Sequence, residues 1–265
     1  MNKQILLILA RTSELLHKNK IQIHKKQIQF GGGKKLKVSY NNFNYVFDES
    51  LLDEDHYILY SKNNEDCITI IISKSDKTAE IHGIGNFTSC LHEPNQNVGS
   101  TLLKITLKLL KKYKEKFNIK MVILSDNSLK LCVKTNIKLS QMLTLISGDT
   151  WYGKYGFRPV KNVGNNYIID EISNKLYEKN KKIINKITIT DIDLIKYIKL
   201  TNNDKLIKAC EKIIQLKPTM LLKDFLGNFI SNFNNNCLDF GQFYEQLFYK
   251  IMKYDPYRKL FGLIL

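Results

Sequence analysis

The stretch Trp151-Tyr152-Gly153-Lys154-Tyr155-Gly156-Phe157-Arg158-Pro159 predicts a sharp reversal of the chain. Its pattern is typical of a helix end, a tight turn and a new strand that starts at Phe157. A helix that ends near Tyr155 needs a following residue that tolerates positive φ, and Gly156 meets that need. The turn would hold the phenol of Tyr152 beside a strand edge, where a phenol can act as a proton donor. Alternatively, these aromatic side chains only cover a hydrophobic core.

A polar loop that opens into a helix lies upstream, in Pro94-Asn95-Gln96-Asn97-Val98-Gly99-Ser100-Thr101-Leu102-Leu103. From Leu102 to Phe117 apolar residues recur on one side of the predicted helix, and lysines fill most other positions. The first turn of a helix carries unpaired N–H groups and a positive dipole end, so it can hold a phosphate. Gly99 allows close approach of a ligand, and Asn97 can adopt the left-handed conformation of a phosphate nest. An ordinary helix start explains the same residues.

Together, and in this order, the two stretches resemble motifs of the GCN5-related N-acetyltransferases, over roughly residues 60–165. In that family a pyrophosphate loop, with Arg or Gln followed by two glycines, opens a helix. A strand then ends near an asparagine, and a helix that carries a tyrosine leads into a Gly-Phe turn. Asn97 and Gly99 fall on the two loop glycines, Asn127 on the asparagine and Tyr152 on the tyrosine. In the family this tyrosine usually protonates the departing thiolate.

The resemblance implies an α/β fold in which a mixed, mostly antiparallel sheet is flanked by helices. It also implies a CoA-dependent N-acyltransferase that moves an acetyl group directly from acetyl-CoA to a primary amine in a ternary complex, without a metal ion. The cofactor contacts that it assigns to the loop and to the following strand end are Gln96, Asn97, Val98, Gly99, Ser100, Thr101 and Asn127.

Two features depart from the family pattern. Pro94 stands where Arg or Gln is usual, and Asn127 and Tyr152 are separated by more residues than is usual. The extra segment, at about residues 129–150, contains a second amphipathic helix pattern that ends at Ser147-Gly148-Asp149. Such an insertion could shape substrate choice or act as a structural spacer. The degenerate loop also leaves open a catalytically inactive protein that uses the same scaffold for binding.

The residues from Thr78 to Leu91 are predicted to form the second arm of a hairpin, and two glycines interrupt them. In the resembled family this strand has a bulge and splays from its neighbour, and the gap admits the pantetheine arm. By position, the contacts with that arm fall on Thr88, Ser89, Cys90 and Leu91, and a backbone donor for the oxyanion falls within Ser89–Leu91. A plain hairpin strand is the alternative.

Glu80 and His82 are the candidates for the general base, since residues two apart face the same side of a strand. Either side chain could take a proton from the amine directly or through water. A surface glutamate and a hydrogen-bonded histidine are the simpler interpretation. Cys90 could carry the acyl group covalently, but an inert buried thiol is favoured.

The formal net charge of +16 comes almost entirely from lysine, since only Arg11, Arg158 and Arg258 are arginines. Nucleic-acid sites usually rely on arginine, so a nucleic-acid partner is not expected. The basic field would attract the phosphates of CoA or an acidic acceptor. The five scattered cysteines predict neither a disulfide framework nor a zinc site, and they favour a reducing compartment. No apolar run is long enough to span a membrane, so we expect a cytoplasmic protein, in host cytoplasm or a virion if the AT-rich composition is viral.

Two domains are predicted. Residues 1–172 would form the acyltransferase domain, with strands over Ile21–Phe30, Leu36–Phe47 and His56–Ser61 before the hairpin. Residues 187–265 would form an all-helical C-terminal domain after a Lys-rich connector at Asn174–Lys186. These helices could pack on the sheet, bind a protein partner or form a dimer.

Overall fold

The computed structural model describes residues 34–62, 66–85, 90–92, 97–130, 136–164, 166–229 and 240–265. Residues from Lys35 to Leu265 belong to one compact unit. The predicted strand at Ile21–Phe30 lies outside the described residues, and so do Thr88, Ser89 and Gln96 among the predicted cofactor contacts.

Five consecutive strands open the described chain, and each lies beside the previous one in the sheet. They are β1 (Lys34–Tyr40), β2 (Phe43–Leu51), β3 (His56–Lys62), β4 (Asp66–Ser73) and β5 (Thr78–Ile84). Asn41 and Asn42 join β1 to β2 with φ values of 48° and 65°. Two successive positive φ values are typical of a tight hairpin turn. The single strand predicted over Leu36–Phe47 is therefore two strands.

The described helices and the remaining described strands follow from residue 98 onward. The helices are α1 (Val98–Lys112), α2 (Lys114–Phe117), α3 (Leu139–Ser147), α4 (Glu171–Ile184), α5 (Leu194–Ile198), α6 (Asp204–Leu216), α7 (Leu222–Phe229) and α8 (Phe240–Ile251). The strands are β6 (Met121–Ser125), β7 (Leu129–Lys130), β8 (Ile137–Lys138), β9 (Arg158–Asn162), β10 (Tyr167–Ile169) and β11 (Leu260–Ile264). Helix α4 occupies most of the predicted connector, because Tyr177, Asn180 and Ile184 form a buried stripe at helical spacing.

Nine of the described strands form one sheet in the order β1-β2-β3-β4-β5-β6-β11-β9-β10, and β7 pairs with β8 separately. Neighbouring strands from β2 to β5 are antiparallel, and so are those from β6 through β11 and β9 to β10. The β5–β6 pair is parallel. The prediction of an α/β protein with a mostly antiparallel sheet flanked by helices is confirmed.

The C-terminal segment is not all helical, which corrects the prediction for residues 187–265. Strand β11 enters the main sheet and pairs with β6 along its whole length, from Leu260 opposite Ser125 to Ile264 opposite Met121. Its other side pairs with β9 through Phe261 and Gly262. A Cβ atom on Gly262 would come within 2.6 Å of Val160 and 2.7 Å of the sulfur of Met121, so only glycine fits at this crossing.

Two hydrophobic cores lie on different sets of elements. The first joins one side of β1–β6 to α1, with Leu102, Leu103 and Leu109 almost fully buried. The second is built by the C-terminal helices together with α3, which contributes Leu145. The predicted insertion at about residues 129–150 therefore packs with the C-terminal helices and forms part of their core. Among the described residues, no helix combines the length and apolarity needed to cross a membrane.

Candidate functional site

Strands β5 and β6 pair at one end and separate toward the other. Their register covers Thr78 opposite Met121, Ala79 opposite Val122, and Glu80 opposite Ile123, and it stops there although both strands continue. On its other side, β5 also shifts register against β4 between Thr69 and Ile70. Such a shift marks a bulge, which bends the strand locally. The carboxyl ends of these two parallel strands are therefore not joined to each other by ladder hydrogen bonds.

The N-terminal turn of α1 and the aromatic turn are neighbours in the structure. A Cβ atom built on Gly99 would lie 3.6 and 3.7 Å from two ring atoms of Trp151. The first turn of α1 contains no acidic residue, which leaves its positive dipole end without a competing carboxylate. Asn97 has φ −105° and ψ 43°, so the predicted left-handed conformation is wrong. The two stretches singled out in the sequence therefore meet, with an indole against the glycine.

The aromatic turn is shorter than the helix end that the sequence predicts. Gly153–Tyr155 forms a single 3-10 turn, and Gly156 then takes φ 92°, as expected for a left-handed position. The ring of Tyr152 lies 4.8 Å from the Trp151 ring and 6.1 Å from the Phe157 ring, measured between centroids. Both contacts are edge-on, the arrangement that aromatic pairs prefer. The phenol is thus held between two aromatic neighbours, Trp151 and Phe157.

Side chains of helix α4 hold the aromatic turn in place through hydrogen bonds and an ion pair. The hydroxyl of Tyr177 donates a hydrogen bond to the carboxylate of Asp149 and accepts one from the backbone N–H of Thr150 at 3.2 Å. The N–H of Gly153 donates to the hydroxyl of Thr150 at 2.9 Å. A Cβ atom on Gly153 would overlap both the Asp149 carboxylate and the Tyr177 hydroxyl. Lys181 also pairs with Asp149 at 2.9 Å, so a buried polar network sets the position of the turn.

Asp126 directly follows β6 and is completely buried, with 0% of its surface exposed. Its Oδ1 atom accepts hydrogen bonds from the hydroxyl of Ser128 at 2.5 Å and from the Ser128 N–H at 3.3 Å. Its Oδ2 atom has no hydrogen-bond partner among the described residues. Burial raises the pKa of this carboxyl to about 6, against the opposing effect of the Ser128 hydrogen bonds. A carboxyl with such a pKa can exchange a proton near neutral pH.

The negative charge of Asp126 affects the pKa of Tyr152. Burial and, after it, the Asp126 carboxylate raise the pKa of the Tyr152 phenol well above its ordinary value. The phenol therefore stays protonated throughout the physiological pH range. Tyr152 and Asp126 place a proton donor and a titrating carboxyl in the same buried region.

A disulfide between Cys67 and Cys90 corrects the expectation that the cysteines remain unpaired. It attaches the segment after β5 to β4, and both Cys90 and Leu91 are buried in the first core. These two residues therefore do not extend β5, which ends at Ile84, and their side chains line the core. A covalent acyl carrier at Cys90 is excluded while the disulfide is intact. Because such bonds persist in oxidising environments, the pairing disagrees with a reducing compartment.

Glu80 and His82 share one side of the sheet, and their side chains approach to 3.9 Å. Glu80 is paired with Ile123 of β6, so the side chains of Glu80 and Ile123 lie on the same face of the sheet. Ile123 packs in a small cluster with Val160. Tyr152, in contrast, packs against the first core, which contains the alternate residues of β6. The structure therefore places the two predicted bases on the face opposite Tyr152.

The remaining predicted contacts have different surroundings. Asn127 is exposed and lies next to Asp126, while Val98 is buried in the first core. Ser100 and Thr101 are half-buried on the first turn of α1.

The sequence interpretation missed Asp126 and Ser128. Their signal was a carboxylate placed immediately after the fully apolar run of β6 and followed two residues later by a hydroxyl.

Comparisons with protein-family models, with curated proteins and with solved structures found no match for this chain. Within the described ranges, no group of three or more His, Cys, Asp or Glu side chains is placed to hold a metal ion.

Proposed function

We propose that the chain is a CoA-dependent N-acyltransferase that transfers an acetyl group from acetyl-CoA to a primary amine in a ternary complex. The observations that carry the proposal are the incomplete β5–β6 ladder and the contact between the start of α1 and the aromatic turn. In the resembled acetyltransferases, a bulged strand that splays from its neighbour admits the pantetheine arm. Strand β5 has both properties, a register shift against β4 and an incomplete ladder with β6.

The residues at the start of α1 suit the diphosphate of CoA. Backbone N–H groups of a first helical turn have no partner within their helix, and here they belong to Val98, Gly99 and Ser100. Nearby, the exposed ammonium group of Lys154 lies 5.8 Å from the centroid of the Trp151 ring and adds positive charge. Acetyl-CoA would supply a thioester, whose carbonyl carbon accepts an amine and whose sulfur leaves as a thiolate.

Tyr152 supplies the proton that the leaving sulfur needs. Its phenol is held between Trp151 and Phe157, and burial keeps the proton on the oxygen until a strong acceptor is present. The network through Thr150 and Tyr177 fixes the backbone on which the phenol stands. General acid catalysis of this kind contributes about 10²- to 10⁴-fold to a rate.

A second function, binding without catalysis, is favoured by two observations. The Trp151 ring lies against Gly99, where a ligand was expected, and Asn97 lacks the left-handed conformation of a phosphate nest. In this alternative the helical segment would make the contacts with a protein partner or with a second copy of the chain.

Titration calorimetry with acetyl-CoA separates the two functions. The acyltransferase proposal requires binding heat and a rise in melting temperature, and the absence of both at millimolar acetyl-CoA would leave only the binding protein.

If acetyl-CoA binds, Tyr152→Phe should lower turnover by about 10²-fold or more, with nearly unchanged CoA affinity. Tyr155→Phe is the matched control, because Tyr155 lies in the same turn and is half-buried. Equal turnover of wild type and Tyr152→Phe would show that another group protonates the sulfur.

The acceptor is proposed to be an amine, and a nucleic-acid partner is not part of this proposal. A location in host cytoplasm or a virion stays a prediction from composition.

A further inference from the structure

The buried carboxylate of Asp126 has no role in the chemistry proposed for Tyr152 and the start of α1. Asp126 stands at the open end of β6, and the backbone of the segment before β11 holds it in place. Its N–H donates to the carbonyl oxygen of Lys259 at 3.2 Å, and its own carbonyl oxygen accepts from the N–H of Arg258 at 2.9 Å. Both of these contacts are made by main-chain atoms. Among the described residues, the exposed side chains of Arg258 and Lys259 form no ion pair with the carboxylate.

Two more buried oxygen atoms without partners lie in the adjoining segment. They are Oγ of Ser140 and Oε1 of Gln141, in the first turn of α3. The N–H of Leu139 donates to the carbonyl oxygen of Ser128 at 3.0 Å, so α3 starts beside the Asp126 loop. Three of the four buried side-chain polar atoms without partners among the described residues therefore lie in two segments that the Leu139–Ser128 hydrogen bond joins.

A buried oxygen without a donor is costly, so these atoms indicate a ligand that brings hydrogen-bond donors. A primary ammonium group carries three donors, no acceptor and a positive charge. It would satisfy Oδ2 of Asp126 and neutralise the buried carboxylate. An anion would instead meet acceptors and like charge.

We propose that Oδ2 of Asp126 receives the ammonium group of the acceptor substrate and takes up one of its protons. This inference rests on the acyltransferase function proposed above and names the acceptor as a protonated primary amine. It also replaces Glu80 and His82 as the base, because these lie on the face of the sheet opposite Tyr152.

The proton balance uses two residues. Transfer of one proton from the ammonium group to Asp126 leaves a neutral amine, whose lone pair forms the new C–N bond. The C–S bond breaks, and its electron pair leaves with the sulfur, which takes the proton of the Tyr152 hydroxyl. The nitrogen loses its second proton as the amide forms, and this proton restores the phenol. The proton on Asp126 then returns to solvent.

The two residues are also coupled electrostatically. The negative charge of Asp126, after burial, raises the pKa of Tyr152. Neutralising Asp126 removes that effect, so the phenol becomes a stronger acid when its proton is needed. The other groups that act on the Asp126 carboxyl are the hydroxyl and N–H of Ser128, whose hydrogen bonds lower its pKa.

The first test follows the carboxyl carbon of Asp126 by ¹³C NMR while n-propylammonium chloride is added, with and without coenzyme A. We expect n-propylammonium to lower the pKa of Asp126 by about one unit or more, since a cation in contact favours the charged carboxylate. Tetramethylammonium chloride at equal concentration has the same charge but no N–H donor, and it should leave the pKa unchanged. An equal response to the two salts, or no response to either, would overturn the inference.

The second test uses two variants and calorimetry. Asp126→Asn keeps the side-chain shape and should weaken n-propylammonium binding at least 10-fold, while the heat of acetyl-CoA binding stays the same. Ser128→Ala keeps the carboxylate but removes a hydrogen bond that lowers the pKa of Asp126. The pKa of Asp126 should therefore rise, and the pH below which amine binding is lost should rise with it.

The outcomes distinguish a failure of the acyltransferase proposal from a failure of the role assigned to Asp126. Loss of acetyl-CoA heat in the wild-type protein contradicts the proposed function itself. Normal acetyl-CoA heat together with amine binding that is unaffected by Asp126→Asn contradicts only the assignment of Asp126.

Discussion

Replacing Asp126 by asparagine should stabilise the protein at neutral pH but not in acid. Burial raises the pKa of this carboxyl from 3.8 to about 6, so the folded state binds the proton more tightly than the unfolded state does. Two pKa units correspond to about 3 kcal/mol of unfolding free energy. The stability that the protonated Asp126 carboxyl contributes is fully present below about pH 4, and it is lost as the pH rises through about 6. Asparagine does not ionise, so the variant lacks that loss.

The measurement is urea unfolding of wild type and Asp126→Asn at pH 4 and pH 7.5. The gain from the substitution should be larger at pH 7.5 than at pH 4 by about 2 kcal/mol, because the unfolded carboxyl is already partly ionised at pH 4. Any effect of the new amide on packing is the same at both pH values and cancels in this difference. A difference that does not change with pH would show that Asp126 is solvated or paired in the folded protein, and the reasoning about its unpartnered oxygen would fail.

Asp170→Asn provides a control of opposite sign. The hydroxyl of Ser173 donates to the Asp170 carboxylate at 2.6 Å, and this bond is the largest cause of a lowered pKa. The folded state therefore favours the charged form of Asp170. Its replacement should cost stability at pH 7.5 and less at pH 4.

Two further changes test the supports of the site. Gly153→Ala should destabilise the fold by about 1–3 kcal/mol, because the new methyl group overlaps the hydroxyl of Tyr177. Gly83→Ala is its control in thermal unfolding, since nothing lies within 4 Å of that Cβ position, and equal effects of the two would contradict the close approach. Reduction of the Cys67–Cys90 bond, which spans 23 residues, should cost about 3 kcal/mol by urea unfolding. An unchanged urea midpoint after complete reduction would show that the two cysteines are already unpaired in solution.

The parts of the fold that the sequence predicts well are those set by local patterns. The left-handed turn at Gly156 follows from the chemistry of one residue, and α1 follows from the spacing of its apolar side chains. Helix α6 begins at a local cap, since the side chain of Asn203 accepts the first-turn N–H of Leu206. In each of these cases the neighbouring residues determine the outcome.

The features that the sequence did not predict depend on contacts between distant segments. The backbone of Asp126 is hydrogen-bonded to the segment before β11, and no pattern near residue 126 shows that contact. The Cys67–Cys90 pair likewise forms because the chain folds back from β5 onto β4. The two motifs at Gly99 and Trp151 were found separately, but their contact is a property of the folded chain.

The position of β11 has a consequence for synthesis on the ribosome. Strands β6 and β9 leave the exit tunnel long before Leu260–Ile264, and in the finished sheet each is bonded to that late strand. Until it arrives, both strands expose an unsatisfied edge, which is a template for pairing with other chains. Translation therefore passes through a stage in which the sheet is open beside the Asp126 loop, and factors that bind nascent chains would protect the protein most at that stage.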